Sequence, residues 1–139
     1  MNAQVAFMDQ QQEVSPLRVV KAISKIFNIR YMENLNLMMV TGWSITDDAW
    51  IKYCQMLADI ESHLRVREEL NIYFKFELFN TSSAKYLFKI IKRLNKAHKE
   101  GKMVKIYWSC SASEHENEMI ESGLDFASMS DFQFKISLN

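Results

Sequence analysis

Four consecutive polar residues, Asn80-Thr81-Ser82-Ser83, offer three neighbouring hydroxyls between a strongly alternating stretch and a helical one. Two kinds of chemistry suit such a row. Thr81 or Ser82 can cap a helix by accepting a hydrogen bond from an exposed backbone amide. A hydroxyl in the same place can also carry phosphate, roughly −1.5 to −2 charges at neutral pH, where free amides and the positive helix end tolerate an anion. Both readings can hold together, because an unmodified Thr81 can cap. A phosphate there would change what the surface repels, so Thr81 is the candidate switch and Asn80, Ser82 and Ser83 form the turn that presents it.

Other chemistries lack their residues. No glycine-rich phosphate loop of the form GxGxxG or GxxxxGK[ST] occurs, nor GxSxG, HExxH or an EF-hand loop. His115 stands among acids in Glu114-His115-Glu116 and reads as a solvated helix start. His63 and His98 fall near helix ends, where carbonyl or dipole contacts await them. Cys54 and Cys110 form no CxxC pair and read as core or near-core thiols in a reducing compartment. No metal site, cofactor or paired acid and base emerges, so the chain reads as a non-enzyme.

The elements that must position the row follow from periodicity. Ile26–Met32 and Leu35–Thr41 read as a hairpin turning at Glu33-Asn34, with Gly42 ending the second strand. A helix over about Asp47 to Leu64 carries Ala49, Trp50, Tyr53, Met56, Leu57, Ile60 and Leu64 on one stripe, with Thr46 or Asp47 as cap. Leu70–Phe79 alternates and reads as the clearest strand. A second helix, about Ser82 to Lys99, has the stripe Ala84, Leu87, Phe88, Ile91, Leu94 and His98, and Gly101 terminates it. Met103–Cys110 is a strand, then Ser113 caps a third helix in which Gly123 is a weak point, and Phe132–Leu138 is the last strand. Leu17–Ala22 reads as a short strand, with a helical turn opened by Ser15 and Pro16 as the alternative. Residues 1–15 read as a flexible tail, leaving one domain over 16–139. Alternation of this order gives a compact α/β fold with a mixed, mostly parallel sheet of five or six strands, an N-terminal hairpin and three main helices.

Composition sets the outer limits. The chain has 139 residues, 48% hydrophobic and 24% charged, enough for one buried core. Its 17 basic and 17 acidic side chains cancel, which argues against whole-molecule capture of nucleic acid or anionic membrane. One local exception is the helix stripe Lys85, Lys89, Lys92 and Lys96, with Tyr86 beside it, which carries an alternative reading as a nucleic-acid-binding module. The nine methionines read as flexible core filling. No apolar run approaches the roughly 20 residues of a membrane span, and residues 1–15 lack the pattern of a secretory signal. The expected compartment is the cytoplasm.

The segment Phe76-Glu77-Leu78-Phe79-Asn80-Thr81-Ser82-Ser83-Ala84-Lys85 resembles the signature of the SiaC-type bacterial regulatory phosphoproteins. Ala97–Lys102, Val104–Trp108, Met119–Phe126 and Thr41-Gly42-Trp43-Ser44 are similar to further family stretches in the same order, so that the likeness covers about Leu17 to Leu138. It implies a fold akin to the STAS domains of anti-sigma-factor antagonists. It also implies that Thr81 is phosphorylated by a dedicated serine/threonine kinase and cleared by a PP2C-like phosphatase. The unmodified form would bind and activate an effector such as a diguanylate cyclase, raising cyclic di-GMP and favouring biofilm. A role as an anti-sigma-factor antagonist that binds an anti-sigma kinase is the second reading the fold allows. Two departures stand out: Lys25-Ile26 occupies the place expected for a threonine-proline pair, and the N-terminal segment is longer than expected.

Overall fold

The computed structural model describes residues 26–110 and 113–138. The expected tail over 1–15 and the strand over Leu17–Ala22 lie outside them. Five strands form one sheet in the order β1-β2-β3-β4-β5. They are β1 Asn28–Met32, β2 Leu37–Ser44, β3 Glu69–Phe79, β4 Met103–Cys110 and β5 Gln133–Leu138. The hairpin pair β1–β2 is antiparallel, and every later neighbour is parallel. Three helices supply the crossovers: α1 Ala49–Val66, α2 Thr81–Lys99 and α3 Glu116–Ser128. This is the mixed α/β architecture expected from the alternation of elements.

Strand order that advances with the sequence, joined by right-handed crossovers, puts all three helices on one side of the sheet. The burial agrees. Met38 and Val40 on β2, Leu70, Ile72, Phe74 and Phe76 on β3, and Val104, Ile106 and Trp108 on β4 all point into the core. They meet Tyr53, Met56 and Ile60 of α1, Leu87, Ile90, Ile91 and Leu94 of α2, and Met119 and Phe126 of α3. At the centre, the rings of Phe74, Phe76, Phe79, Phe126 and Phe134 surround Trp108 with centroids 5.6 to 6.1 Å from its own. Each such aromatic pair adds roughly 0.5–1.5 kcal/mol beyond its buried area.

Several sequence expectations need correction. Gly42 does not end β2. The strand continues to Ser44 through a bulge at Gly42/Trp43, and Gly42 sits at φ +97°. A Cβ there would lie 2.0 Å from the carbonyl oxygen of Ile26, so the residue allows a close backbone approach. Gly123 is likewise no weak point, because it is the seat on which Trp108 packs, with ring atoms 2.6 Å from where a Cβ would stand. The indole is also held by its N–H, which donates to the Met119 carbonyl at 2.8 Å. Trp50 and Phe88 leave their predicted stripes and are about half exposed, while Ile90 and Ala97 take the buried places on α2. Both cysteines are free; Cys110 is buried, but Cys54 is exposed.

Helix ends also differ from expectation. α1 starts two residues late, behind Asp48, and no side chain caps it. α3 starts behind His115, whose amide is bonded by the Ser113 hydroxyl at 3.3 Å. The end of α2 follows the prediction: Gly101 at φ +90° lets its own amide reach the His98 carbonyl and the Lys102 amide reach that of Ala97. Those two bonds are the Schellman pattern. His98 itself is exposed, whereas His63 is buried and does more than finish α1. Its Nε2 donates to the Glu69 carbonyl at 2.8 Å, which leaves Nδ1 to accept from the Tyr31 hydroxyl at 2.6 Å. One imidazole thus pins β1 and the start of β3 to α1.

Candidate functional site

The hydroxyl row sits where β3 hands over to α2, on the edge formed by the C-terminal ends of the parallel strands. In open α/β sheets this is where ligands usually dock. The cap is Asn80, and neither Thr81 nor Ser82 fills that role as the sequence suggested. Its side-chain oxygen accepts from the Ser83 amide at 3.0 Å, and its backbone is extended, as a cap requires. Thr81 is therefore the first helical residue, and its amide and that of Ser82 belong to the group a helix cannot satisfy internally.

The three hydroxyls have different fates. Thr81 and Ser82 are exposed, whereas Ser83 is 2% exposed and faces inward. The Ser83 hydroxyl donates to the Ser44 carbonyl at 2.8 Å. With its only proton committed, Ser83 Oγ accepts from Ser44 Oγ at 2.7 Å, and Ser44 Oγ in turn accepts from the Tyr53 hydroxyl at 2.6 Å. The chain runs Tyr53 to Ser44 to Ser83 to the Ser44 carbonyl, with each proton used once. Burial pushes the Tyr53 phenol up to about 12, against a smaller opposing pull from the two serine hydroxyls, so it stays a neutral donor. This network joins α1, the end of β2 and the start of α2.

Two more bonds stitch the turn to the end of β2. The Asn80 amide donates to the Ser44 carbonyl at 3.2 Å, and its side-chain nitrogen donates to the Ile45 carbonyl at 3.3 Å. At the register shift between Gly42 and Trp43 the pairing skips one residue of β3, so that Ser44 pairs with Phe79, while the alternation that buries Met38 and Val40 runs on through Gly42 and turns Ser44 inward. Beside the turn lies a cleft of about 190 Å³ lined by residues that include Thr46, Trp50, Ser82, Lys85 and Tyr86. Tyr86 stacks on Tyr53 with rings nearly parallel at 5.3 Å, and Lys85 and Lys89 lie over its face.

The arrangement holds one exposed threonine rigidly in the first turn of a helix, with no acidic side chain in that turn. A phosphate on Thr81 would face unsatisfied amides and the positive dipole end without moving the backbone. Ser83 is unavailable without breaking the buried network, a distinction the sequence row did not reveal. A pattern of two exposed polar positions followed by an inward one at N3 is the signal that could have suggested it. The lysine stripe Lys85, Lys89, Lys92 and Lys96 is exposed along α2, but its aromatic neighbour Tyr86 is turned toward Tyr53. The stripe borders a furrow against Leu57 and Ala58 of α1, crossed by the Arg93–Glu61 ion pair, which holds the Glu61 carboxyl below its usual range.

Among the described residues, no cluster of His, Cys, Asp and Glu is arranged to hold a metal ion, and no helix is long and apolar enough to cross a membrane. His115 lies between two acids, its Nδ1 3.0 Å from Glu118 and its Nε2 3.6 Å from Glu114, and meets the Trp43 ring edge-on at 5.8 Å.

The family model for SiaC family regulatory phosphoproteins matches residues 20–138. A chain in the crystal structure of the diguanylate cyclase SiaD in complex with its activator SiaC, from Pseudomonas aeruginosa, superposes with a TM-score of 0.76. That match has 20% identity and covers 84% of this chain and 94% of the other. Apo-SiaC from the same organism gives 0.73 at 22% identity, over 82% of this chain and 92% of its own. At these identities the structural likeness establishes the fold. No curated protein matches the sequence.

Proposed function

Because this chain belongs to the SiaC family of regulatory phosphoproteins, we propose that it is a non-catalytic signalling adaptor of the cytoplasm, switched by reversible phosphorylation of Thr81. The observation that carries this reading is the contrast inside one turn. Thr81 is exposed at the first helical position, while Ser83, two residues on, is locked in the buried hydroxyl chain. A kinase can reach the first hydroxyl without disturbing the fold.

The switch works by charge. The unmodified turn presents neutral hydroxyls and Lys85 beside the cleft. A phosphate would place about two negative charges at that point. A partner whose surface is acidic or apolar opposite the turn would be attracted in the first state and expelled in the second. The structurally similar SiaC is an activator of the diguanylate cyclase SiaD, so a diguanylate cyclase is the effector we assign. A dedicated serine/threonine kinase and a PP2C-like phosphatase would write and erase the mark.

The test compares binding of a cyclase from the same cell to unmodified protein and to protein carrying phosphothreonine at 81. Binding by the unmodified form that falls at least tenfold on modification supports the reading. Equal binding by both forms overturns it. Recovery of an anti-sigma kinase in place of a cyclase would favour the antagonist reading.

A further inference from the structure

The sheet has two faces, and the helices use only one. On the other, the register aligns one residue from every strand in a single row, Arg30, Met39, Tyr73, Tyr107 and Lys135. These side chains alternate with the core positions on each strand, so they point away from the helices. No helix among the described residues packs on this face. Tyr73 and Tyr107 occupy the two central strands with their rings 6.2 Å apart and 24° from parallel. Both are half-buried, and Arg30 and Lys135 at the ends of the row are exposed.

The neighbouring rows continue the pattern. On one side, Met32, Leu37, Asn71, Lys105 and Gln133 are in register, and on the other Asn28, Thr41 and Lys75. Three successive rows therefore hold Arg30, Lys75, Lys105 and Lys135, and one acid of the same face reaches them, Glu69, whose carboxylate accepts from the Asn71 side chain at 3.0 Å. In a chain whose formal charge is zero, four cations against this one acid are a local excess of positive charge around a pair of aromatic rings.

We propose that this open face binds single-stranded nucleic acid. Paired aromatics on central strands of a flat sheet offer platforms on which unstacked bases can lie, and cations at the margins meet the phosphates. The alternatives fit the surface less well. A second copy packed face to face would bring the four cations against themselves. A small ligand needs concavity, and the row lines none of the clefts described above. The lysine stripe on α2 is a separate surface whose nearby ring, Tyr86, is already covered by Tyr53.

Fluorescence anisotropy with the full chain and labelled oligouridylate and oligoadenylate of about 12 nucleotides tests this. With four phosphates neutralised, affinity should fall about 50-fold between roughly 50 and 200 mM salt. Tyr73→Ala and Tyr107→Ala should each weaken binding about tenfold, and Phe at either position should restore it, since a base stacks on either ring. Lys135→Glu, on an edge strand where folding is tolerant, should weaken binding without changing the circular dichroism. No binding at low salt overturns the proposal. So does binding that survives removal of both rings, displacement by polyglutamate as effective as by RNA, or loss of binding only when Lys89 and Lys92 are reversed.

Discussion

Helices α2 and α3 each begin where a parallel strand ends, β3 for one and β4 for the other, yet their first turns are charged differently. α3 opens with Glu116 and Glu118, permanent anions that suit its dipole, and has no side-chain cap. α2 opens with hydroxyls and no acid, is capped by Asn80, and is anchored from below through Ser83. One helix carries its N-terminal charge in the sequence. The other carries none, and its backbone is fixed by neutral bonds, so the phosphate proposed at Thr81 would supply the charge that its sequence lacks. The phosphate proposed at Thr81 would on this ground act as a surface signal and leave the fold alone.

That comparison can be broken at the anchor. Tyr53 is held neutral to about pH 12 in the folded protein, against an ordinary value of 10. A raised value means the stabilisation is complete below pH 10 and disappears as the pH rises toward 12, because only the unfolded phenol ionises in that window. The loss should be about 2 to 3 kcal/mol. Chemical denaturation of the protein and of Tyr53→Phe across that range isolates the contribution as the difference between the two slopes, since the Tyr31 phenol, also raised by burial, is common to both.

Next in size is the split within the hydroxyl row. Ser83→Ala leaves Ser44 without its hydroxyl acceptor in a dry site and should cost about 2 kcal/mol in urea unfolding. Thr81→Ala, on the surface, should stay within about 0.5 kcal/mol. Equal costs would mean the row is not divided as described. The caps come third: Asn80→Ala should cost about 1 kcal/mol, and His115→Ala at the start of α3 well under half of that. The smallest effect is the mark itself. Phosphothreonine at 81 should raise stability by about 0.3 to 1 kcal/mol at low salt, shrinking as salt is added, and should do so more fully above pH 6 as the second proton leaves. A lowered melting temperature would mean the phosphate disrupts α2.

Much of this was legible in the sequence, and the failures share a cause. The alternation from Leu70 to Phe76 fixes both the strand and its buried face, and Gly101 marks the end of α2 because a positive φ there has few other solutions. What periodicity cannot see is a shift of register. The register shift at Gly42/Trp43 lies in a strand that Gly42 seemed to end, and the strand runs on to Ser44, whose side chain meets Ser83, 39 residues away. Trp50 and Phe88 sit at helical spacing with core residues but at the margins of their stripes, where spacing alone predicts burial and the side chains stand half exposed. Asn80 lies in the turn and caps α2 in place of the hydroxyls after it, because the choice among adjacent cap residues is made by the backbone angles. Thr81 as the candidate switch came from the row and from the family likeness; that its side chain is exposed and that of Ser83 is not comes from tertiary packing alone.

The most direct measurement is to purify the protein from its native cell under phosphatase inhibition and map phosphate by fragmentation mass spectrometry. The account predicts phosphate on Thr81, absent in Thr81→Ala and not displaced onto Ser83. Phosphate found on Ser82 or Ser83 with Thr81 unmodified, or its persistence in Thr81→Ala, would contradict it.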